Sequence, residues 1–343
     1  MRNRNNVLVS ITGFINRHSI IFVLAAVFIL SSILNPNFLS TQNLINVLRQ
    51  NAVVVILAFG ATMLIISGMI DLSSGAVIAF TGCFAIWMFR ATQNILLAFV
   101  CGLALAISFN VISGLLVTRY KTPPFIATLA ITAIARGGVL LFTQGRDIYQ
   151  IGRFVVFGQG NVPIIPAPVN FYIPVPVIFM FVMLLLTWYI LNHTRFGRSL
   201  YAIGGNQEAA IASGINVNRI KFLCYILNGS FVGLAGIIFM SRINAGIPGS
   251  GAGLEMEALT AAIIGGTSFS GGVGTAVGTI CGAFIVGIIN NIMNLMGINP
   301  YIQQIVKGVI IVLAVILDLQ AKNRRLALKE IPAGEPASAG KAA

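Results

Sequence analysis

The sequence predicts an all-α, polytopic membrane helix bundle of about ten transmembrane helices, some short or broken, with both termini cytoplasmic. Three observations carry that expectation. Only 8% of the 343 residues are charged, against about 25% in soluble domains, too few to cover a water-facing surface. Apolar stretches of roughly 20 residues recur from Ile20 to Ile316, and in lipid a helix satisfies its own backbone hydrogen bonds. The 36 glycines suit close helix–helix approach in lipid and would be a liability in a water-soluble helical protein.

Taken in order, the apolar runs predict spans near residues 18–35, 51–70, 75–89, 94–118, 124–142, 172–191, 219–241, 255–268, 272–293 and 301–319. The third and eighth are short or Gly-rich and read as broken or half-spanning. Residues 1–17 are expected as a cytoplasmic N-terminus, 18–320 as one transmembrane domain, and 321–343 as a cytoplasmic, largely disordered tail, ending in EIPAGEPASAGKAA. Arg2, Arg4 and Arg17 precede the first run as in a signal peptide. With no small-residue cleavage site after it, a retained first helix is expected.

Basic residues set the orientation. With the N-terminus inside and ten spans alternating, inner segments hold Arg2, Arg4, Arg17, Arg119, Lys121, Arg195, Arg198, Arg219, Lys221, Lys322, Arg324, Arg325 and Lys329. Outer segments hold Arg49, Arg90, Arg146, Arg153 and Arg242. That bias is the positive-inside pattern, and an odd number of spans would put Arg324 and Arg325 on the wrong side. The net charge of +13 is spread between apolar runs rather than gathered on a solvated face. Anionic lipid therefore fits it as a partner and nucleic acid does not. Cys83, Cys101, Cys224 and Cys281 lie inside apolar stretches without metal-like spacing and read as free thiols.

Two connections stand out for length. The outer one, 143–171, holds Gly, Gln and several Pro and suggests a short surface helix or a gate. The inner one, 192–218, contains a helix start at Asn206, with Gln207 and Glu208 in the first turn. Ala209, Ala210, Ile211 and Ala212 follow, and Gly214 is placed to stop the helix. Its small side chains suit either docking into a partner's groove or a connector lying on lipid. IISGMIDLSSGAV from Ile65 also echoes IIGGTSFSGGVGTAV from Ile263; duplicated halves and chance both produce such an echo.

Here the segments become specific. RFGRSLYAIGGNQEAAIASGI from Arg195 resembles the cytoplasmic coupling region of sugar ABC-transporter permeases of the ribose and galactoside type, within the branched-chain amino acid/ribose permease superfamily. SGMIDLSSGAV from Ser67, PPFIATLAITAIARGG from Pro123, MEALTAAIIGGTSFSGGVGTAVG from Met256 and GINPYIQQIVKGVIIVLAVILD from Gly297 are similar to the same family in the same order. The resemblance implies a bacterial inner-membrane subunit, paired with a second permease copy. It also implies a cytoplasmic ABC ATPase and a periplasmic sugar-binding protein, with Arg198, Asn206, Glu208, Ala209, Ala210 and Gly214 in the ATPase-coupling region. The chain contains no G-x-x-x-x-G-K-[ST] phosphate loop, so ATP and Mg2+ are expected on the partner ATPase, and no cofactor on this chain.

Polar residues inside the apolar runs are the remaining candidates. Asp71 and Ser73 either line a pathway or cap the next helix, since a carboxylate near lipid must face protein, water or a helix N-terminus. Arg136 needs a buried acceptor, either Asp71 or a backbone carbonyl. Glu255 and Glu257 are two apart and point different ways on a helix, fitting caps or contacts with an outer partner. Asn290, Asn291 and Asn294 form a polar stripe that either bonds sugar hydroxyls or glues helices. His18 and His193 flank spans at the inner interface.

The leading expectation is an importer permease for a neutral monosaccharide. An ion-coupled secondary transporter is the alternative, which usually needs more deep ionisable groups than Asp71 and Arg136. A membrane enzyme finds no paired His, His-Glu zinc motif or Gly-x-Ser-x-Gly elbow.

Overall fold

The structure, a computed structural model, describes residues 19–165 and 171–329. The expectations placed on Arg2, Arg4, Arg17 and His18, and on the tail from 330 onward, lie outside the described residues.

The first described helix, α1 (Ser19–Leu34), ends in a 3-10 turn (Pro36–Leu39) that Asn35 caps by accepting from Asn37 N–H. Ser40 then accepts from Asn43 N–H and opens α2 (Thr41–Ile66). This start lies ten residues before the apolar run that predicted it. The first turns, TQNLINVLRQ, are polar because Arg49 reaches Asn161 Oδ1 at 2.7 Å beyond the apolar zone. Hydropathy detects the lipid-depth part of a helix, not its ends. At 26 residues, α2 is about 39 Å long, enough to cross a hydrocarbon core of about 30 Å.

After a break at 67–73 come α3 (Ser74–Thr92), α4 (Ile95–Thr118) and α5 (Pro124–Thr143). The long connection 143–171 then holds a 3-10 turn (Gly152–Val155), α6 (Val156–Gln159) and an antiparallel hairpin, β1 (Asn161–Ile165) with β2 (Phe171–Pro174). The hairpin departs from the all-α expectation. Val and Ile favour extended backbone, and a two-stranded ribbon is all edge, so Pro163 and Pro174 are tolerated in it. Accordingly α7 (Val175–His193) begins three residues later than predicted, with Pro176 in its first turn, where no intrahelical N–H is needed.

The connection 192–218 is two helices rather than one: α8 (Arg195–Gly205) and α9 (Gln207–Ala212). α10 (Val217–Ile243), α11 (Leu254–Ile264), α12 (Ala276–Leu295) and α13 (Pro300–Lys329) complete the described residues. Seven of the described helices are long and apolar enough to cross a membrane, and Ile20–Leu34 and Pro300–Ile316 are shorter apolar helical stretches. α11 has eleven residues, about 16 Å of rise, roughly half a hydrocarbon core.

α2 and α10 form the centre, and α4, α5 and α7 turn most of their residues outward. Gly229 and Gly233, four apart on α10, let it lie against α4: a Cβ at either would press Asn110, Ile107, Ala106 or Leu103 at 2.8–3.2 Å. This is small-residue packing, which lets dispersion replace the missing hydrophobic drive in lipid.

Side-chain contacts sort the two ends of the bundle. At one end Lys121 donates to Asn218 Oδ1 and Lys221 to Gln207 Oε1, each at 2.7 Å. At the other, Arg49 meets the hairpin, Gln159 donates to Arg242 O, and Ile148 bridges Gly246. The echoing stretches fall at different joints, one before α3 and one after α11, and they touch: Gly272 N–H donates to Ile66 O at 2.8 Å.

Candidate functional site

Three polar features stand out among the described residues. The first is the break between α2 and α3. Asp71 is 4% exposed and accepts four hydrogen bonds of 2.5–2.9 Å: from Ser73 N–H, Ser73 Oγ, Ser74 Oγ and Asn228 Nδ2. Asn228 also donates to Asn110 Oδ1 at 2.9 Å, Tyr225 donates to Ile70 O, and Thr132 to Leu72 O. A buried carboxylate is tolerable only when its lone pairs are filled in this way. Gly60 makes the room, because a Cβ there would strike Asn228 Oδ1.

Sequence reasoning singled out Asp71 and Ser73 but missed Asn110, Tyr225 and Asn228. Those sit on α4 and α10, and polar residues inside apolar runs were the signal available. Arg136 takes backbone acceptors rather than Asp71: its Nη1 donates to Pro248 O and Ser250 O, both at 2.8 Å. That draws 248–250 inward, so α11 begins beside the start of α3. Gly75 and Gly251 meet there, and Glu255 accepts from Gly253 N–H at 3.1 Å.

The second feature is a pocket of about 400 Å³ between α11, α12 and α13. Its polar lining is Glu257, Thr260, Asn290, Gln304 and Lys307. Glu257 and Lys307 form an ion pair across it, so Glu257 finds its cation on this chain. Lys307 and Gln304 were missed, because alternating polar residues in α13 read as an ordinary helix face.

The asparagine stripe is divided by this arrangement. Asn290 reaches the pocket. Asn291 exchanges two amide hydrogen bonds with Asn43 at 2.8 and 3.1 Å, joining α12 to α2. Asn294 Oδ1 accepts from Gln303 at 2.9 Å.

The third feature is the α8–α9 pair, where Asn206 Oδ1 accepts from Ala209 N–H and so caps α9. Gly214 follows at φ +81°, a left-handed conformation that glycine adopts without strain. Gly197, Leu200 and Ile203 form the buried stripe of α8. Ala210 is 3% exposed and packs with Ile203 and Val217. The outward face of the pair therefore carries Arg198, Glu208, Ala209 and Ile211, and Ala210 belongs to its small core. At the same end His193 meets Trp188 edge-to-face and stacks on Tyr189.

Comparison with known proteins agrees along nearly the whole chain. The family model described as branched-chain amino acid transport system / permease component matches residues 43–315. The chain is 42% identical over 293 residues to the ribose import permease protein RbsC of Bacillus subtilis (strain 168), covering 84% of this chain and 88% of that one. It is 40% identical over 305 residues to RbsC of Escherichia coli (strain K12), covering 88% and 92%. To the D-allose transport system permease protein AlsC of Escherichia coli (strain K12) it is 35% identical over 308 residues, covering 89% and 92%. No solved structure matches the chain.

Proposed function

Because the chain belongs to the branched-chain amino acid transport system / permease family, we propose that it is the membrane subunit of an ABC importer for a neutral monosaccharide of the ribose type. The observation that carries this reading is the match to ribose and allose permeases across nearly the full length of both chains. In this reading ATP and Mg2+ act on a separate cytoplasmic ATPase, which a sequence without a phosphate loop supports. A periplasmic sugar-binding protein delivers the sugar and sets its identity, and a second permease copy completes the pathway.

In this reading the protein sits in the bacterial inner membrane with ten spans: α1 to α5, α7 and α10 to α13. The α8–α9 end faces the cytoplasm, as the basic bias of Arg119, Lys121, Arg195, Arg198, Arg219 and Lys221 supports. Arg198, Asn206, Glu208, Ala209 and Gly214 belong to the ATPase-coupling surface, with Ala210 holding it together from beneath. Asp71, Ser73, Asn291 and Asn294 brace the helices that flank the route, and Asn290 with the polar pocket lines it. A transmitting route should bind weakly, because a deep well slows release.

Sugar uptake by the complete complex in proteoliposomes tests this against the ion-coupled alternative. Uptake is expected with internal ATP and no ion gradient. Uptake that needs only the gradient overturns the importer reading.

A further inference from the structure

Between α11 and α12 the chain makes a tight turn, GGTSFSGGVGT at 265–275, gripped from three directions. From α2, Ile66 O accepts Gly272 N–H at 2.8 Å. From α13, Asp318 Oδ2 accepts Phe269 N–H at 2.9 Å and Ser268 Oγ at 3.2 Å. From α8, the Tyr201 hydroxyl donates to Gly274 O at 2.7 Å. Gly204, one turn further along α8, lies so close that a Cβ there would collide with Ile66 O and Gly272 N. Gly271 and Gly272 hold φ of +86° and +75°, and a Cβ on either would press the end of α8 at 2.9–3.2 Å. The contact is backbone on backbone, with no side chain between to absorb movement.

What leaves this turn is equally direct. α11 is a short, unbroken helix that carries Glu257 and Thr260 into the polar pocket, and α12 carries Asn290 there. A cavity of about 970 Å³ borders this contact, lined by Gly204, Ser270 and Gly272 together with Ile20, Trp188 and Asp318. A rigid backbone contact at one end and a short helix leading to the pocket at the other are the parts of a lever.

We propose that the 265–275 turn is the transmission element between the α8–α9 surface and the pocket, with Tyr201 and Gly204 as positioning residues. Displacement of α8 pushes the turn through the Gly204 contact and pulls it through the Tyr201 hydrogen bond. α11 and α12 then shift Glu257, Thr260 and Asn290 together. This inference rests on the ATP-driven reading above and names the path by which that energy reaches the sugar route.

The test is the ratio of ATP hydrolysed to sugar imported, measured per assembled complex in proteoliposomes containing permease, ATPase and binding protein. The probe is whichever of labelled ribose or allose the wild type takes up. Tyr201→Phe removes one hydrogen bond without changing shape, and Asp318→Asn weakens the opposite tether. Each should raise the ratio about fivefold, the factor carried by about one ordinary hydrogen bond. Gly204→Ala wedges α8 from the turn and should raise it about tenfold or more, with ATP hydrolysis retained. A merely structural role lowers hydrolysis and import together. A constant ratio in all three variants therefore overturns the proposal, even if less complex assembles. Wild-type uptake indifferent to ATP would instead strike the importer reading itself.

Discussion

Asp71 is a carboxylate inside an apolar bundle, and its four donors decide what a substitution there does. Asp71→Ala leaves Ser73, Ser74 and Asn228 facing an empty acceptor site and frees the break from α10. Loss of one side of a buried charged cluster costs about 3–5 kcal/mol. Asp71→Asn keeps one acceptor oxygen but turns an NH2 toward donors, so it should fall between the two. Thermal unfolding of purified protein in mild detergent reads this directly; an Asp71→Ala protein melting with the wild type would deny the cluster its bracing role. Asp71 was conspicuous in sequence because a charge inside an apolar run has no cheap place to go. Its partner Asn228, 157 residues away, was not, since a tertiary hydrogen bond leaves no local pattern. The same holds for Glu257 and Lys307, 50 residues apart.

Among the elements, the α8–α9 pair separates what a helix face offers from what it hides. Sequence placed the cap at Asn206 and the stop at Gly214, both of which are local chemistry. It treated α8 as loop, because a helix of eleven residues lying along an interface carries only the brief stripe of Gly197, Leu200 and Ile203. It also counted Ala210 with the outward alanines, although a six-residue helix must bury one position to stay in place. The consequence is a pair of opposite outcomes. Ile211, 56% exposed, should tolerate Ile211→Asp without loss of folded protein, while co-purification of the ATPase with it falls at least about tenfold, as expected for a hot-spot residue. Ala210→Arg, by contrast, should lower the amount of folded permease, because the arginine has to enter the Ile203–Val217 core. Undiminished ATPase recovery with Ile211→Asp would remove α9 from the docking surface. The hairpin was missed for a related reason: a short ribbon containing prolines matches no periodic template.

For the whole molecule, hydropathy located the long described helices because lipid acts uniformly on all of them, and it misplaced ends where a helix runs on into polar residues. The ten extra residues at the start of α2, TQNLINVLRQ, and the extension of α13 through AKNRRLALK to Lys329 are both of this kind. Sidedness is a separate property, resting on the distribution of Lys and Arg, and the fold makes it testable from two exposed points. Arg146 lies at the hairpin end and Ser213 at the α8–α9 end, both open to solvent. The native thiols interfere little, since Cys83, Cys224 and Cys281 are buried and Cys101 only partly exposed, and replacing all four with serine or alanine removes them. In right-side-out vesicles a membrane-impermeant maleimide should label Arg146→Cys at once and Ser213→Cys only after permeabilisation. Labelling in the reverse order would put α8–α9 outside, beyond the reach of a cytoplasmic ATPase, and the lever would then have nothing to push it.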